Sequence, residues 1–573
     1  MKPSEEKRWL DKYPEQWRNS NYSHHTLYMY LKLCNENNYN STAIDYYGSK
    51  YTFKEMIDQI DYFADCYASW GIKKGDMILF LNVSVPETVF SLYALNKIGA
   101  IPVFIEPRMS KSRIEHFINI TKVKTMVILD LVYPKIEDLI SKYELNTVFV
   151  QNAYSSLPLF KSIYKTLTTK KPKITYNSVV KHFDDLLVKF PSTKAVEAPY
   201  EEGRVAVITQ TGGTTGIPKG VMLTDDSLNS VAHSVKCSYI GVKPGDKFLN
   251  IMPIFTSYGI SNGIITAFSY GATSILIPDF KPERFPGLMK KYNPHSVIGV
   301  PTFFESLTSS KKLKNAEFDN LIFPVTGGDY MNLALERKMD EFFKQHGSKS
   351  RILQGYGLSE TSAATSFSFN GYVKEESVGV PLLNSTIGIF NPETLEELDY
   401  NQTGEICISG PSIMKGYFKN EEETNKVMKL HPDGKLWIHS GDLGYLDEDG
   451  YLFFSGRVKF VIPRFDGHKN YPSQIEKVAL MHPGIINCSV IGCKDREHSH
   501  GMYPLIIAEL ADKNSNQQKI RSEVLDICKK NLEDRGQPCG VVFVEKIPLT
   551  LVGKNDVVSL TKEYENFDYT QNN

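Results

Sequence analysis

No run in the 573-residue chain approaches the ~20 consecutive apolar residues that a membrane span needs, and the first thirty residues, charged and aromatic, lack the apolar centre of a secretory leader. A soluble, cytoplasmic protein is therefore expected. Cysteine is sparse: the eight residues at 34, 66, 237, 407, 488, 493, 528 and 539 include no Cys-x-x-Cys pair and match no zinc spacing. Cys493, His498 and His500 come nearest to a metal pattern, but no structural zinc motif has that spacing, and a surface loop is the reading adopted. Neither sign of charge is in excess. Lys plus Arg count 65 against 66 Asp plus Glu, a formal net charge of −1, so there is no overall basic field to hold nucleic acid. Internal repeats and low-complexity tracts are also missing.

What is present is length and alternation. A chain of this size exceeds that at which single cores split, so at least two domains are expected. Short apolar runs (Met77 to Leu81, Ile101 to Ile105, Met126 to Leu129, Ser274 to Ile277, Ser296 to Val300) alternate with amphipathic segments such as Arg113 to Ile120 and Glu283 to Tyr292. That pattern predicts an α/β protein with largely parallel sheets. The segment Leu157 to Leu167, followed by Lys170 and Lys171, is both apolar and basic. It reads as a linker packed on the body, with peripheral membrane contact as the alternative.

The densest chemical signal is Thr209-Gln-Thr-Gly-Gly-Thr-Thr-Gly-Ile-Pro-Lys-Gly220, directly after the apolar run Val205 to Ile208. Gly212, Gly213 and Gly216 let backbone N–H groups approach an anion, Thr211, Thr214 and Thr215 add hydroxyls, and Lys219 adds a mobile cation. A polyphosphate is the implied ligand. A Walker-type loop is rejected, because Pro218 precedes the lysine and Gly220 stands where that motif has its metal-binding hydroxyl.

The loop resembles the signature of the adenylate-forming superfamily, which includes acyl-CoA synthetases, peptide-synthetase adenylation domains and firefly luciferase. Further segments resemble that family's motifs in order: Val300-Pro-Thr302, Thr326-Gly-Gly-Asp-Tyr330, Gly355-Tyr-Gly-Leu-Ser-Glu360, Ser377-Val-Gly-Val-Pro381, Gly404 to Pro411, Ser440-Gly-Asp442, Ser455-Gly-Arg-Val-Lys459 and Pro548 to Lys554. Weaker N-terminal likenesses lie at Tyr51 to Glu55, Lys74 to Asp76 and Lys97 to Ala100. The resemblance implies a large N-terminal domain, residues 1–457, of sheets flanked by helices with a β-subdomain. A small mobile α+β domain, residues 458–573, would follow, with Lys459 at the hinge.

Adenylation sets a carboxylate against the α-phosphate of ATP, so cations are needed where negative charge grows. By resemblance, Glu360 is the Mg²⁺ ligand, Ser359 presents a hydroxyl to the phosphate, and Lys554 bridges the acyl carboxylate and α-phosphate. Gly328, Asp329 and Tyr330 would flank adenine on one side and Gln354, Gly355 and Tyr356 on the other. Asp442 would accept both ribose hydroxyls with Arg457 beside it. His439 is assigned a structural role, since a substrate ionised at pH 7 needs no general base.

Three departures bear on substrate. In Pro253-Ile-Phe-Thr-Ser-Tyr-Gly259, Thr256 replaces the histidine common in acyl-CoA synthetases and the aspartate with which peptide-synthetase domains hold an ammonium, so an α-amino acid is disfavoured. The segment Arg457 to Glu476 is one residue longer before Gly467 than the common pattern, where the family's CoA tunnel lies. The lysine motif is similar to that of peptide-synthetase domains. Phe255, Thr256, Tyr258, Phe303, Val325 and Ala363 are candidates for the acyl pocket. The expectation is an ATP-dependent acid:CoA ligase on a fatty or other non-amino acid, using ATP, Mg²⁺ and CoA; loading of a separate acyl carrier protein is the alternative.

Overall fold

The computed structural model describes residues 2–152, 154–158, 172–211, 218–238, 240–278, 280–369, 371–498, 500–548 and 555–569. The apolar runs form two large sheets. In the first, the parallel strands Val205–Gln210, Ile101–Phe104, Met77–Leu81, Thr125–Leu129, Thr147–Gln151 and Val180–His182 lie in that order, with Gly220–Thr224 antiparallel beside Val205–Gln210. In the second, Leu353–Leu358, Phe323–Thr326, Ser296–Gly299, Lys247–Asn250, Thr273–Leu276 and Thr42–Tyr46 run parallel, flanked by antiparallel edge strands. Continuous rather than alternating apolar strands are what a sheet covered on both faces requires.

Helices supply that cover. Phe53–Ser69, opened by a Thr52–Glu55 capping box, packs with Pro86–Ile98 and Asp225–Cys237 between the two sheets. Lys111–Thr121 and Tyr133–Lys142 cover the far face of the first sheet, and Phe285–Tyr292, Pro301–Thr308 and Leu333–Gln345 that of the second. The result is five layers, α-β-α-β-α. A further antiparallel sheet, built on Thr386–Phe390, Gly404–Ser409 and Leu436–Leu446, closes one end of the sandwich.

Beyond residue 460 the chain has cores of its own. Strands Ile485–Lys494, Met502–Leu510 and Gly540–Val544 form a mixed sheet whose faces pack on Pro472–Ala479 with Gln517–Asn531 and on Val557–Tyr564. This is the small α+β domain. It touches the large one through Lys477–Glu376 at 2.7 Å, Lys469–Glu393 at 2.5 Å, and the Ser473 hydroxyl on the Ser455 carbonyl. Among the described residues no helix is long and apolar enough to cross a membrane. Most of Leu157 to Lys171 lies outside the described residues.

Candidate active site

One large cavity, about 2420 Å³, opens where the parallel strands of the second sheet end and extends under the small domain. Ligands of open α/β sheets gather at such strand ends. The phosphate-loop segment bridges two antiparallel strands rather than a strand and a helix: Gln210 pairs with Gly220, the Thr211 N–H donates to the Lys219 carbonyl at 2.9 Å, and the Lys219 N–H to Thr211 Oγ1 at 3.1 Å. Gly212, Gly213, Thr214, Thr215 and Gly216 lie outside the described residues; Thr211 and Lys219, the two ends of the loop, line the cavity.

The Lys219 ammonium pairs with Glu423 and lies 4.6 Å from the Tyr417 ring centre. That ion pair, with a second from Lys426, holds the Glu423 carboxyl down at about 2. Tyr417 donates in turn to Glu360 Oε1 at 2.5 Å. Lys219, Tyr417, Glu360 and Ser359 thus form one polar wall.

Opposite stands Asp442, 1 % exposed, whose Oδ2 accepts from the Tyr356 hydroxyl at 2.9 Å and whose Oδ1 meets Arg457 Nε at 2.9 Å. Burial first, and then the Asp442 charge, push the Tyr356 phenol far up, so it stays a donor. The strands Leu436–Leu446 and Leu452–Arg457 pair Asp442 directly with Arg457. Phe454 lies between Tyr330 and Tyr356, 6.3 Å from each ring centre, which makes an aromatic floor. Gly328 turns at φ +78°, and Asp329 is exposed beside it. Gln354 stands behind the wall instead of in it: it is buried, and its Nε2 donates to Glu336 Oε2 at 2.8 Å.

All six acyl-pocket candidates, Phe255, Thr256, Tyr258, Phe303, Val325 and Ala363, line the cavity. Thr256 also caps its own turn, donating to the Pro253 carbonyl at 2.8 Å and accepting from the Gly259 N–H at 3.0 Å. Lys554 lies outside the described residues, but Asn555 and Asp556, immediately after it, line the cavity roof. Asn555 Nδ2 donates to Ser489 Oγ at 3.0 Å and Asn487 Oδ1 at 3.3 Å. Lys459 also lines the cavity, its ammonium made less basic by burial and then by Arg457. Gly467 is exposed on the small domain and does not reach the cavity wall.

The sequence profile of the AMP-binding enzyme matches residues 32–418, and that of the AMP-binding enzyme C-terminal domain matches residues 474–554. The chain belongs to the AMP-binding enzyme family. Among its relatives is a long-chain-fatty-acid–CoA ligase of Bacillus subtilis, 30 % identical over 522 residues and 90 % of each chain. A probable 4-coumarate–CoA ligase 2 of Dictyostelium discoideum is 27 % identical over 88 % of this chain and 89 % of its own. In fold it is similar to ATP-bound MatB of Rhodopseudomonas palustris, with a TM-score of 0.80 at 22 % identity over 94 % of this chain and 99 % of that one. Relatives named as CoA ligases support acid:CoA ligase activity, and the family supports binding of ATP.

In this AMP-binding enzyme, Glu360 is the carboxylate of the polar wall, a hard oxygen donor of the kind that fits Mg²⁺, which takes few protein oxygens. Cys493, His498 and His500, read as no metal site, point to separate partners: Cys493 Sγ lies 3.3 Å from Cys539 Sγ, His498 stacks on Phe465, and His500 meets the Phe465 carbonyl. A grouping that spacing did not reveal is Glu405, Cys407 and His439, all buried behind the Ser440-Gly-Asp442 turn. His439 Nδ1 lies 2.8 Å from Glu405 Oε2, whose partner oxygen takes the Gly441 N–H at 2.9 Å. Burial pushes the Glu405 carboxyl up, and His439, the Gly441 N–H and the Lys429 charge together outweigh it to hold it below the usual range. His439 is therefore a brace for the Asp442 turn. Asn262 and Thr266, four residues apart on the cavity wall, were not anticipated; the only sequence signal was their place just after Pro253 to Gly259.

Proposed function

We propose that the protein is an ATP-dependent acid:CoA ligase that forms an acyl-adenylate and pyrophosphate, then an acyl-CoA and AMP. The observation that carries the reading is the single cavity in which a phosphate wall (Thr211, Lys219, Ser359, Glu360), a buried Asp442 flanked by two donors, and a largely apolar recess adjoin. A nucleoside triphosphate and an acid laid there meet at the strand ends.

Asp442 accepts the ribose hydroxyls, and Arg457 and Tyr356 hold and aim it. Tyr330, Tyr356 and Phe454, with the Gly328–Asp329 turn and Gly355, take adenine; Gln354 acts from behind through Glu336. Mg²⁺, held through Glu360, supplies charge neutralisation on the triphosphate when bound. Lys554, next in sequence to Asn555, supplies a cation to the charge shared by carboxylate and α-phosphate, and Lys219 to the leaving phosphates. The acid lacks an α-amino group, because Thr256, not a carboxylate, follows Phe255 and its hydroxyl is already engaged. The large domain is residues 1–457 and the small one 458–573. Rotation about Lys459 would withdraw Asn555 and bring the Gly467 loop to the cavity for the thiol step.

Pyrophosphate release from ATP and Mg²⁺ across fatty, aryl and amino acids, with and without CoA, tests this. The expected result is release with one class of non-amino acid, conversion to acyl-CoA and AMP when CoA is added, and loss in Lys554→Ala. Release without CoA turnover would transfer the second step to an acyl carrier protein; release that survives Lys554→Ala would overturn the assignment of that lysine.

A further inference from the structure

The apolar recess runs as a channel along the second sheet, walled by its strands and by the helices Asp225–Cys237 and Gly259–Thr266. Val235, Phe248, Ile298, Phe323, Val325 and Phe367 line it. Its length follows from the parallel register of Ser296–Gly299 with Phe323–Thr326 and from Lys247–Asn250 beside them. From Phe323 to Thr326 the strand spans ~10 Å at ~3.3 Å per residue, which accommodates a chain of about eight carbons.

One wall of this channel breaks the apolar pattern. Gly259–Thr266 is a π-helix, a form that is rare and concentrated at functional sites. It sets Asn262 and Thr266 on the same wall of the cavity. Thr266 is 3 % exposed, and among the described residues neither Thr266 Oγ1 nor Asn262 Oδ1 has a hydrogen-bond partner. Other polar side chains along the cavity are satisfied within the protein: Thr256 on Pro253, Ser366 Oγ on the Val378 carbonyl at 2.9 Å, and Ser257 Oγ with Thr209 Oγ1 at 2.8 Å. Two buried oxygens left unpaired against an apolar channel are costly unless a ligand completes them.

We infer that the acid activated by this enzyme carries a hydroxyl group remote from its carboxylate, bound between Asn262 and Thr266. The inference rests on the ligase reading above and names the substrate class within it. An amide oxygen accepts, and a threonine hydroxyl donates or accepts, so a group that does both satisfies the pair. A ketone only accepts and would leave Asn262 Oδ1 unpaired. The distance is set by the helix: Asn262 and Thr266 lie four and eight residues beyond Tyr258, whose hydroxyl reaches the Gly299 carbonyl at 3.5 Å. At ~1.2–1.5 Å per residue they stand ~5 and ~10 Å further along the helix. The hydroxyl therefore belongs to the middle or far half of an acid of about six to twelve carbons.

The test uses the full-length protein with ATP and Mg²⁺ and compares unsubstituted, hydroxy and keto acids of equal length by pyrophosphate release, in the wild type, Thr266→Val and Asn262→Leu. Thr266→Val keeps the shape of the side chain and controls for folding, checked by its melting temperature. The expected result is a kcat/KM for a hydroxy acid at least ~10-fold above that for its unsubstituted counterpart. Each substitution should bring that ratio towards one by lowering the hydroxy-acid value. An unsubstituted or keto acid turned over as well as the hydroxy acid overturns the inference, as does a ratio unchanged in both variants. Calorimetric binding of the same acids beside a non-hydrolysable ATP analogue separates the two readings. Hydroxyl-selective binding without pyrophosphate release would overturn the ligase reading and uphold this one, and the absence of selective binding would overturn this one.

Discussion

On the function proposed above, one buried carboxylate, Asp442, holds the ribose, and Tyr356 and Arg457 fix its two oxygens. Removing the Tyr356 hydroxyl deletes a hydrogen bond to a charged acceptor, worth about 1.5–3 kcal/mol. Tyr356→Phe is therefore expected to raise the KM for ATP ~10–100-fold, with a smaller change in kcat, measurable by steady-state pyrophosphate release. Glu336 offers a second test at this scale. Burial raises its carboxyl to about 7, against the downward pull of the Glu376 N–H, which donates to Oε2 at 3.1 Å. A carboxyl with a raised folded-state pKa binds more protons folded than unfolded, so its contribution is full below the unfolded value near ~4.3 and is lost as pH rises through about 7. Melting temperatures measured from pH 5 to 8 are expected to fall less in Glu336→Gln than in the wild type.

The strand Leu353–Leu358 carries Gly355, Tyr356 and Gly357 to the site and returns through the 3₁₀ turn Ser359–Thr361 to Ala363–Phe367. The close approach of the two strands forbids a side chain at Gly357, where a Cβ would stand 1.5 Å from the Ala363 carbonyl oxygen. Gly357→Ala is expected to destabilise the large domain by several kcal/mol and to displace Glu360 with it, seen as a lowered melting temperature and lost Mg²⁺-dependent turnover. This glycine was read from sequence only as part of a motif; the reason for it is the neighbouring strand, which sequence does not specify. The π-helix is a similar case. Its residues look like any apolar segment with a few small polar side chains, and only packing on Asn250, whose Nδ2 donates to the Gly263 carbonyl at 2.9 Å, gives them their register.

At the scale of the whole molecule, the small domain is seated, among the described residues, by polar contacts such as Lys477–Glu376 and Lys469–Glu393. Exposed ion pairs are worth ~0–1 kcal/mol, so the closed arrangement is weakly held and suited to alternation. Glu376→Lys, which places like charges opposite Lys477, is expected to slow adenylation and leave the conversion of preformed acyl-adenylate to acyl-CoA within about twofold, measured as separate half-reactions. The strands expected from the apolar runs are present within a residue or two, and the helices at 111–121 and 285–292 likewise. Periodicity reports these because each strand is buried on both faces and each helix on one. The order of strands in the sheets and the seating of the small domain depend on contacts between residues hundreds of positions apart.

By itself, the sequence determined the alternation of strand and helix, the family motifs in their order, the absence of a carboxylate after Phe255, and many of the side chains that line the cavity. These are properties of local composition and short spacing. The tertiary structure alone decided that the phosphate loop joins two antiparallel strands, that Gln354 serves through Glu336, and that Cys493, His498 and His500 part while Glu405, Cys407 and His439 meet. It alone set Asn262 and Thr266 on the wall of an apolar channel. Each of these depends on which side chains the fold brings within a few ångströms, and that is decided by the packing of whole layers, not by any short stretch of the chain.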